Sequence, residues 1–305
     1  MKKQGRTSFL KKRSKKLLQI ALASTIHIGL ARAAEQDVPY GPNEAQMLDI
    51  CTPAEPHAPA PAVLMIHGGA WRGGSRRFLT AACIRFAKAG IVAIPIDYRL
   101  STGQAGTTWP VQFNDVQLAM RWVRAHARTY GIDPTHICAE GDSAGGQLAL
   151  LLGVVTTVDP GDGAQALAGI SPHADCSVAI SGPSDLVALA AVKPAMIAFV
   201  IGPGDPAHVH AREVSASPAL RAGPSAVPAL LIQGTEDSLV PFTQAGEMCA
   251  ALSRTGTPCW VVRHPGGHEF NGLDRPHIQA AWSMIEHFVQ TQHLPQPPGE
   301  ISLAP

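Results

Sequence analysis

A serine hydroxyl becomes a nucleophile only when its oxygen is presented to a substrate and a base stands ready for its proton. Ser143 lies in Gly141-Asp142-Ser143-Ala144-Gly145, with a glycine two residues away on either side. A strand that turns sharply into a helix brings backbones together where a Cβ would collide. Glycines at those two positions relieve the collision and leave the central serine strained, with its hydroxyl exposed. Two later segments carry groups that would activate it. Asp237 follows an apolar run in Gln233-Gly234-Thr235-Glu236-Asp237-Ser238, and His268 lies in the loop Gly266-Gly267-His268-Glu269-Phe270. In this reading His268 takes the proton of Ser143 while Asp237 fixes the tautomer of the ring and stabilises the imidazolium. Glu236 competes with Asp237. His264 competes with His268, but it closes a strand and precedes Pro265, whereas His277 and His287 fall on the closing helix. His67-Gly68-Gly69-Ala70-Trp71 ends another apolar run. Its paired glycines let backbone approach a substrate, so the amides of Gly68 or Gly69, together with that of Ala144, form the expected oxyanion hole.

The elements that must hold these groups are read from hydrophobic period and turn signals. Short apolar runs predict strands at 62–66, 91–96, 135–139, 177–180, 229–232 and 260–263, and a further strand-like piece covers 46–51. Helical patterns fall at 75–89, 113–128, 143–155, 242–254 and 275–290. Strands apolar on both faces that alternate with helices predict an α/β fold, with a mostly parallel central sheet covered by helices on both faces. Residues 183–226 interrupt the alternation and are read as a small lid insertion, and the Gly-, Asp- and Pro-rich stretch 156–175 is read as a loop. The Pro-rich segment 294–305 is expected to be a disordered tail, so the domain spans 34–293.

Met1 to Lys16 carries eight basic residues and no acid, Leu17 to Leu30 is mostly apolar, and Ala31-Arg32-Ala33 supplies small residues at −3 and −1 of a cut after Ala33. That order predicts a signal peptide over 1–33 and a periplasmic or secreted protein without stable membrane insertion. Arg6-Thr7-Ser8-Phe9-Leu10-Lys11 lacks the second arginine of a twin-arginine signal, which favours ordinary secretion. Removing 1–33 takes nine of the 24 basic residues and none of the 23 acidic ones, which leaves a chain of about −8. So acidic a protein, without basic stripes, is not expected to bind nucleic acid. All six cysteines remain, an even number in an oxidising compartment. Cys249 and Cys259 flank a short helix-to-strand link and are the expected pair, whereas Cys138 and Cys176, inside apolar runs, are expected to be buried free thiols.

Gly-Asp-Ser also resembles trypsin-like proteases, but there Gly-Gly follows, the order is His, Asp, Ser, and the fold is all β. Taken together, His67-Gly68-Gly69-Ala70-Trp71, Asp97-Tyr98-Arg99-Leu100, Gly141-Asp142-Ser143-Ala144-Gly145-Gly146 and Gly266-Gly267-His268 resemble the bacterial esterase/lipase group of α/β hydrolases. That group includes hormone-sensitive-lipase-like carboxylesterases and the feruloyl/acetyl-xylan esterase branch. The resemblance covers roughly residues 44–290. It implies cofactor-free hydrolysis of a small-molecule or polysaccharide-linked ester, a triad of Ser143, Asp237 and His268, and a structural role for Asp97, Tyr98 and Arg99. The few residues between Ala33 and the first strands leave no room for a large N-terminal cap, which favours the compact feruloyl/acetyl-xylan-like branch. Arylformamidase- or amidase-type hydrolases share the same motifs, and a silent hydrolase-fold binding protein would show a broken triad or glycine hole, which this sequence does not. His208 and His210, read as a loop pair, are too sparse a ligand set to support metal binding.

Overall fold

The structure, a computed structural model, describes residues 32–54, 59–158 and 167–303. The expected signal segment therefore lies outside the described residues, apart from its last two positions. Those two open an unexpected first strand, β1 (Arg32–Pro39), so a cut after Ala33 would fall inside it. β1 pairs antiparallel with β2 (Met47–Thr52). The remaining strands are β3 (Ala60–Ile66), β4 (Val92–Ile96), β5 (Ile132–Asp142), β6 (Ser177–Ile180), β7 (Ala229–Gly234), β8 (Cys259–His264) and β9 (Gly299–Ser302). They form one sheet in the order β1-β2-β4-β3-β5-β6-β7-β8-β9. Every pairing from β4 onward along that order is parallel.

The central strands are buried on both faces because helices cover both. On one face α2 (Val111–Ala125), α3 (Ala144–Val154) and α8 (Thr243–Arg254) pack through Val116, Met120, Leu148, Leu152 and Met248. On the other, α1 (Thr80–Lys88) and α9 (Arg275–Thr291) pack through Phe86, Ile285 and Phe288. α3 is buried along its whole length, as its nearly unbroken apolar sequence requires. Residues 183–226 contain four short helices, α4 (Leu186–Val192), α5 (Pro194–Ile201), α6 (Pro206–Ser215) and α7 (Pro218–Arg221). His208 and His210 sit on α6 rather than in a loop, His208 beside Asp205, which caps the start of that helix, and His210 beside Glu213.

Two expectations are corrected. The segment after His293 is not wholly disordered, because β9 adds to β8 in parallel register, Val261 opposite Glu300. Leu294 and Leu303 are buried there, and the Trp260 indole N–H donates to the Gln296 carbonyl at 2.9 Å. Composition suggested disorder, but a few spaced apolar residues find an open sheet edge. Cys138 and Cys176 are not free thiols but a disulfide. Parallel pairing of β5 with β6 sets Ala139 opposite Ser177, which places the preceding cysteines opposite each other, 4.5 Å apart at Cα. Strand pairing is non-local and was invisible to the sequence reading. Cys249–Cys259 is bonded as expected, and Cys51–Cys83 joins β2 to α1.

A buried cation fixes the start of α1. Arg76 lies in the short turn before it and is bound by Asp37, Asp49 and Asp97, with the Asp49 contact at 3.0 Å. Asp97 also accepts the Arg76 amide at 2.6 Å, while Tyr98 donates its hydroxyl to the His67 carbonyl at 3.0 Å and Arg99 pairs with buried Asp115. The Asp97-Tyr98-Arg99 segment thus braces the strand end that carries His67. Replacing Cys138 and Cys176 together by alanine should lower unfolding stability by about 2–4 kcal/mol, read from denaturant midpoints. Peptide mapping of the unreduced chain should return all three bridges.

Candidate active site

Ser143 stands between β5 and α3 with φ 50° and ψ −117°, a conformation that side chains adopt only under constraint. The constraint is steric. A Cβ on Gly145 would fall on the carbonyls of Ile66 and His67, and one on Gly141 would meet Gly145. Only with both positions bare can α3 start directly over the end of β3. The Ser143 amide donates to the Ile180 carbonyl at 2.7 Å, and its own carbonyl accepts the Gln147 amide at 3.2 Å. The hydroxyl is left facing a cavity of about 340 Å³.

His268 reaches Ser143 from the loop after β8, with Nε2 at 2.9 Å from Oγ. Its Nδ1 lies 2.7 Å from Asp237 Oδ2. An ionised carboxylate can only accept, so Nδ1 carries the proton and Nε2 is free to accept from the serine hydroxyl. Asp237 is itself held by four donors. The Leu239 and Val240 amides reach Oδ1 at 2.9 Å each, and Gln233 Nε2 reaches Oδ2 at 3.0 Å, beside the histidine. Burial works against charge on Asp237, but the His268 and amide hydrogen bonds outweigh it and hold the carboxyl below the usual range. Burial likewise opposes charge on His268, but its hydrogen bond to Asp237 and the surrounding carboxylates raise it above an ordinary histidine.

The competitors fall away. Glu236 is exposed, and its amide donates to the Gly266 carbonyl. His264 is buried with Nδ1 accepting the Gly266 amide at 3.2 Å, while His277 pairs with Asp274 at the start of α9. The glycines near His268 also have a use. A Cβ on Gly234 would strike the carbonyls of Gly266 and Gly267, so bare positions let the aspartate and histidine loops touch.

The expected oxyanion donors are only partly brought together. Gly69 lines the Ser143 cavity, and Ala144 opens α3, where the first amides have no intrahelical acceptor. Gly68 does not serve. Its amide donates to Asp142 Oδ2 at 3.0 Å, so that donor is already committed. Ala70 lines the cavity instead, and Gly69, Ala70 and Trp71 have φ of 113°, 51° and 59°, a run that curls the backbone around the site. The 183–226 segment contributes Pro183 and Met196 to the same cavity. The sequence reading missed Gln233, Ser181, Trp71 and Glu269. Ser181, with φ 53°, accepts the Glu269 amide on its hydroxyl at 2.7 Å and so anchors the histidine loop. Buried Trp71 donates from its indole to Gln147 Oε1 at 3.0 Å, tying the glycine loop to α3. Ser181, Trp71 and Glu269 act across distant segments, so their partners are not readable locally, whereas Gln233 lies only four residues before the aspartate it serves.

A mostly parallel sheet in this strand order, with a serine turn after β5, an acid after β7 and a histidine after β8, defines the α/β-hydrolase fold. Residues 48–252 match the BD-FAE family model, and the chain belongs to that family. Among curated relatives, esterase LipC of Mycobacterium tuberculosis is 34% identical over 265 residues, covering 83% of this chain and 64% of that protein. The probable carboxylic ester hydrolase LipM of the same organism is 30% identical, covering 79% and 57%. The chain thus spans about three fifths of the length of these relatives. Among solved structures, a truncated carbohydrate esterase from gut microbiota aligns with TM-score 0.70 and 25% identity, over 87% of this chain and 98% of that one. Thermogutta terrifontis esterase 2 phosphorylated by paraoxon aligns with TM-score 0.69 and 25% identity, over 87% and 97%.

Replacing Asp237 by Asn removes the two largest influences that favour the charged ring and leaves the opposing burial in place. The His268 titration, followed by imidazole NMR, should therefore move to lower pH than in the parent chain.

Proposed function

We propose that this protein is a serine carboxylic-ester hydrolase that works through Ser143, His268 and Asp237. The observation that carries the reading is the unbroken contact from Ser143 Oγ through His268 to Asp237, at 2.9 and 2.7 Å. Ser143 Oγ attacks the ester carbonyl as His268 Nε2 takes its proton. The carbonyl oxygen becomes an oxyanion, met by the amides of Ala144, Gly69 and, in place of Gly68, Ala70. Collapse breaks the bond to the alcohol, which leaves with the proton from His268. Water then attacks the acyl-serine with His268 again as base, releasing the acid and restoring the hydroxyl. Asp237 stays ionised and stabilises each imidazolium.

A site cavity of about 340 Å³ lies at the small end of ligand pockets, which supports short acyl groups. The names of the related structures support esters borne on carbohydrate. The three disulfides support an oxidising destination, in keeping with the N-terminal signal pattern, so we infer a periplasmic or secreted enzyme.

Ser143→Ala should retain the fold and lose about 10⁴-fold or more in kcat/KM on a short-acyl ester. The parent rate should rise with pH across the His268 titration, because only the neutral ring can take the proton, and that midpoint should lie above an ordinary histidine's. Paraoxon should inactivate the parent and label Ser143. A Ser143→Ala chain with undiminished esterase activity would overturn the assignment.

A further inference from the structure

We propose that a second cavity, behind the Ser143 turn, binds a small organic ammonium, its cationic head received by Glu140, Asp142 and Glu269 and its apolar body by Phe78, Phe270 and Trp282. This cavity, of about 580 Å³, lies between the strand ends and helices α1 and α9. It shares Gly69 and Glu269 with the Ser143 cavity but does not include Ser143 or His268.

The argument begins with Glu140. The residue is 2% exposed, lines the cavity, and leaves Oε2 without a hydrogen-bond partner among the described residues. A buried carboxyl oxygen left unmet is costly, and an occupant that brings positive charge would meet it. Asp142 and Glu269 face the same space and contact each other through their carboxyl groups. Among the described residues the one arginine or lysine in the wall, Arg85, is already engaged. Its Nε pairs with Glu286 of α9, and its guanidinium lies 5.7 Å from the Trp282 ring centre. Three carboxyl groups therefore converge without a free counter-charge, beside exposed Phe78 and the rings of Phe270 and Trp282. Carboxylates with aromatic walls are the chemistry that recognises alkylated ammonium groups. A neutral polyol would satisfy the oxygen of Glu140 but would bring no charge to take the place of the protons on these acids.

Without such a cation, protons supply the compensation. Burial, with Asp142 adding to it, pushes Glu140 up to about 8. Burial, followed by the nearness of Glu269, raises Asp142 to about 7. A permanent cation would displace these protons, so its affinity should increase as pH rises through that range. Other charged groups near the cavity act in the same direction or not at all. His67, at the end of β3, is lowered by burial and is neutral there, with Asp97 beyond it. Arg85 stays paired with Glu286, and His268, raised by its hydrogen bond to Asp237 against the opposing burial, acts in the same direction as it loses its charge with rising pH.

The test is direct binding, so its outcome does not depend on the esterase reading. Calorimetric titration of the full chain would compare choline, its uncharged isostere 3,3-dimethylbutan-1-ol, and xylose, at about pH 6 and about pH 9. Choline should bind about tenfold more tightly than the isostere at the higher pH, should tighten about tenfold between the two, and should release protons on binding. Glu140→Gln should reduce the gain with pH, leaving the part carried by Asp142, while keeping the parent's thermal unfolding. Because that residue is buried, a second variant, Phe78→Ala at an exposed position, should weaken choline severalfold without disturbing the fold. Equal or tighter binding of the isostere or xylose, no choline binding, or choline affinity unchanged in both variants would overturn the proposal.

Discussion

Everything at this site depends on how closely α3 passes over the end of β3. The approach is so tight that the Ile66 carbonyl occupies the space a side chain on Gly145 would need. That contact forces Ser143 to φ 50°, and the strained turn points its hydroxyl out of the packed interior while the unsatisfied amides of the helix start lie next to it. Strain at one residue is tolerable because the surroundings over-determine it. Ile180 accepts the serine amide, Gln147 bonds both its carbonyl and the Trp71 indole, and α3 is buried along its length.

Around that turn, acids tie together loops that are distant in sequence. Asp142 captures the Gly68 amide, which sets the direction of the glycine loop. Asp237, held by Gln233 and two backbone amides, sets the ring of His268. Ser181 anchors the loop that carries that ring. The acids behave differently because their partners differ. Asp237 has donors enough to stay charged under burial, whereas Glu140 and Asp142 have too few and are pushed toward neutrality.

Much of this was legible in the sequence, for identifiable reasons. Gly141 and Gly145 mark a turn no other residue type could make, and apolar runs such as 62–66 and 229–232 mark strands buried on both faces. Asp237 could be chosen over Glu236 by its place in the motif, and His268 over His264 because it lies in a glycine-flanked loop whereas His264 closes a strand before Pro265. What could not be read depended on pairing across the sheet. The Cys138–Cys176 bridge requires knowing that β5 lies beside β6, and the engagement of Gly68 requires knowing where the Asp142 side chain turns. β1 and β9 were missed because neither carries an apolar run strong enough to announce itself, and each is stabilised by the neighbour it covers.

β9 has a consequence beyond the fold. It occupies the far margin of the sheet, where β8 would otherwise present a row of unsatisfied peptide groups along Trp260 to Arg263. Such a margin readily accepts a strand from another molecule. A chain shortened just after α9 would keep its serine turn yet expose a sticky seam, which residues 299–302 cover.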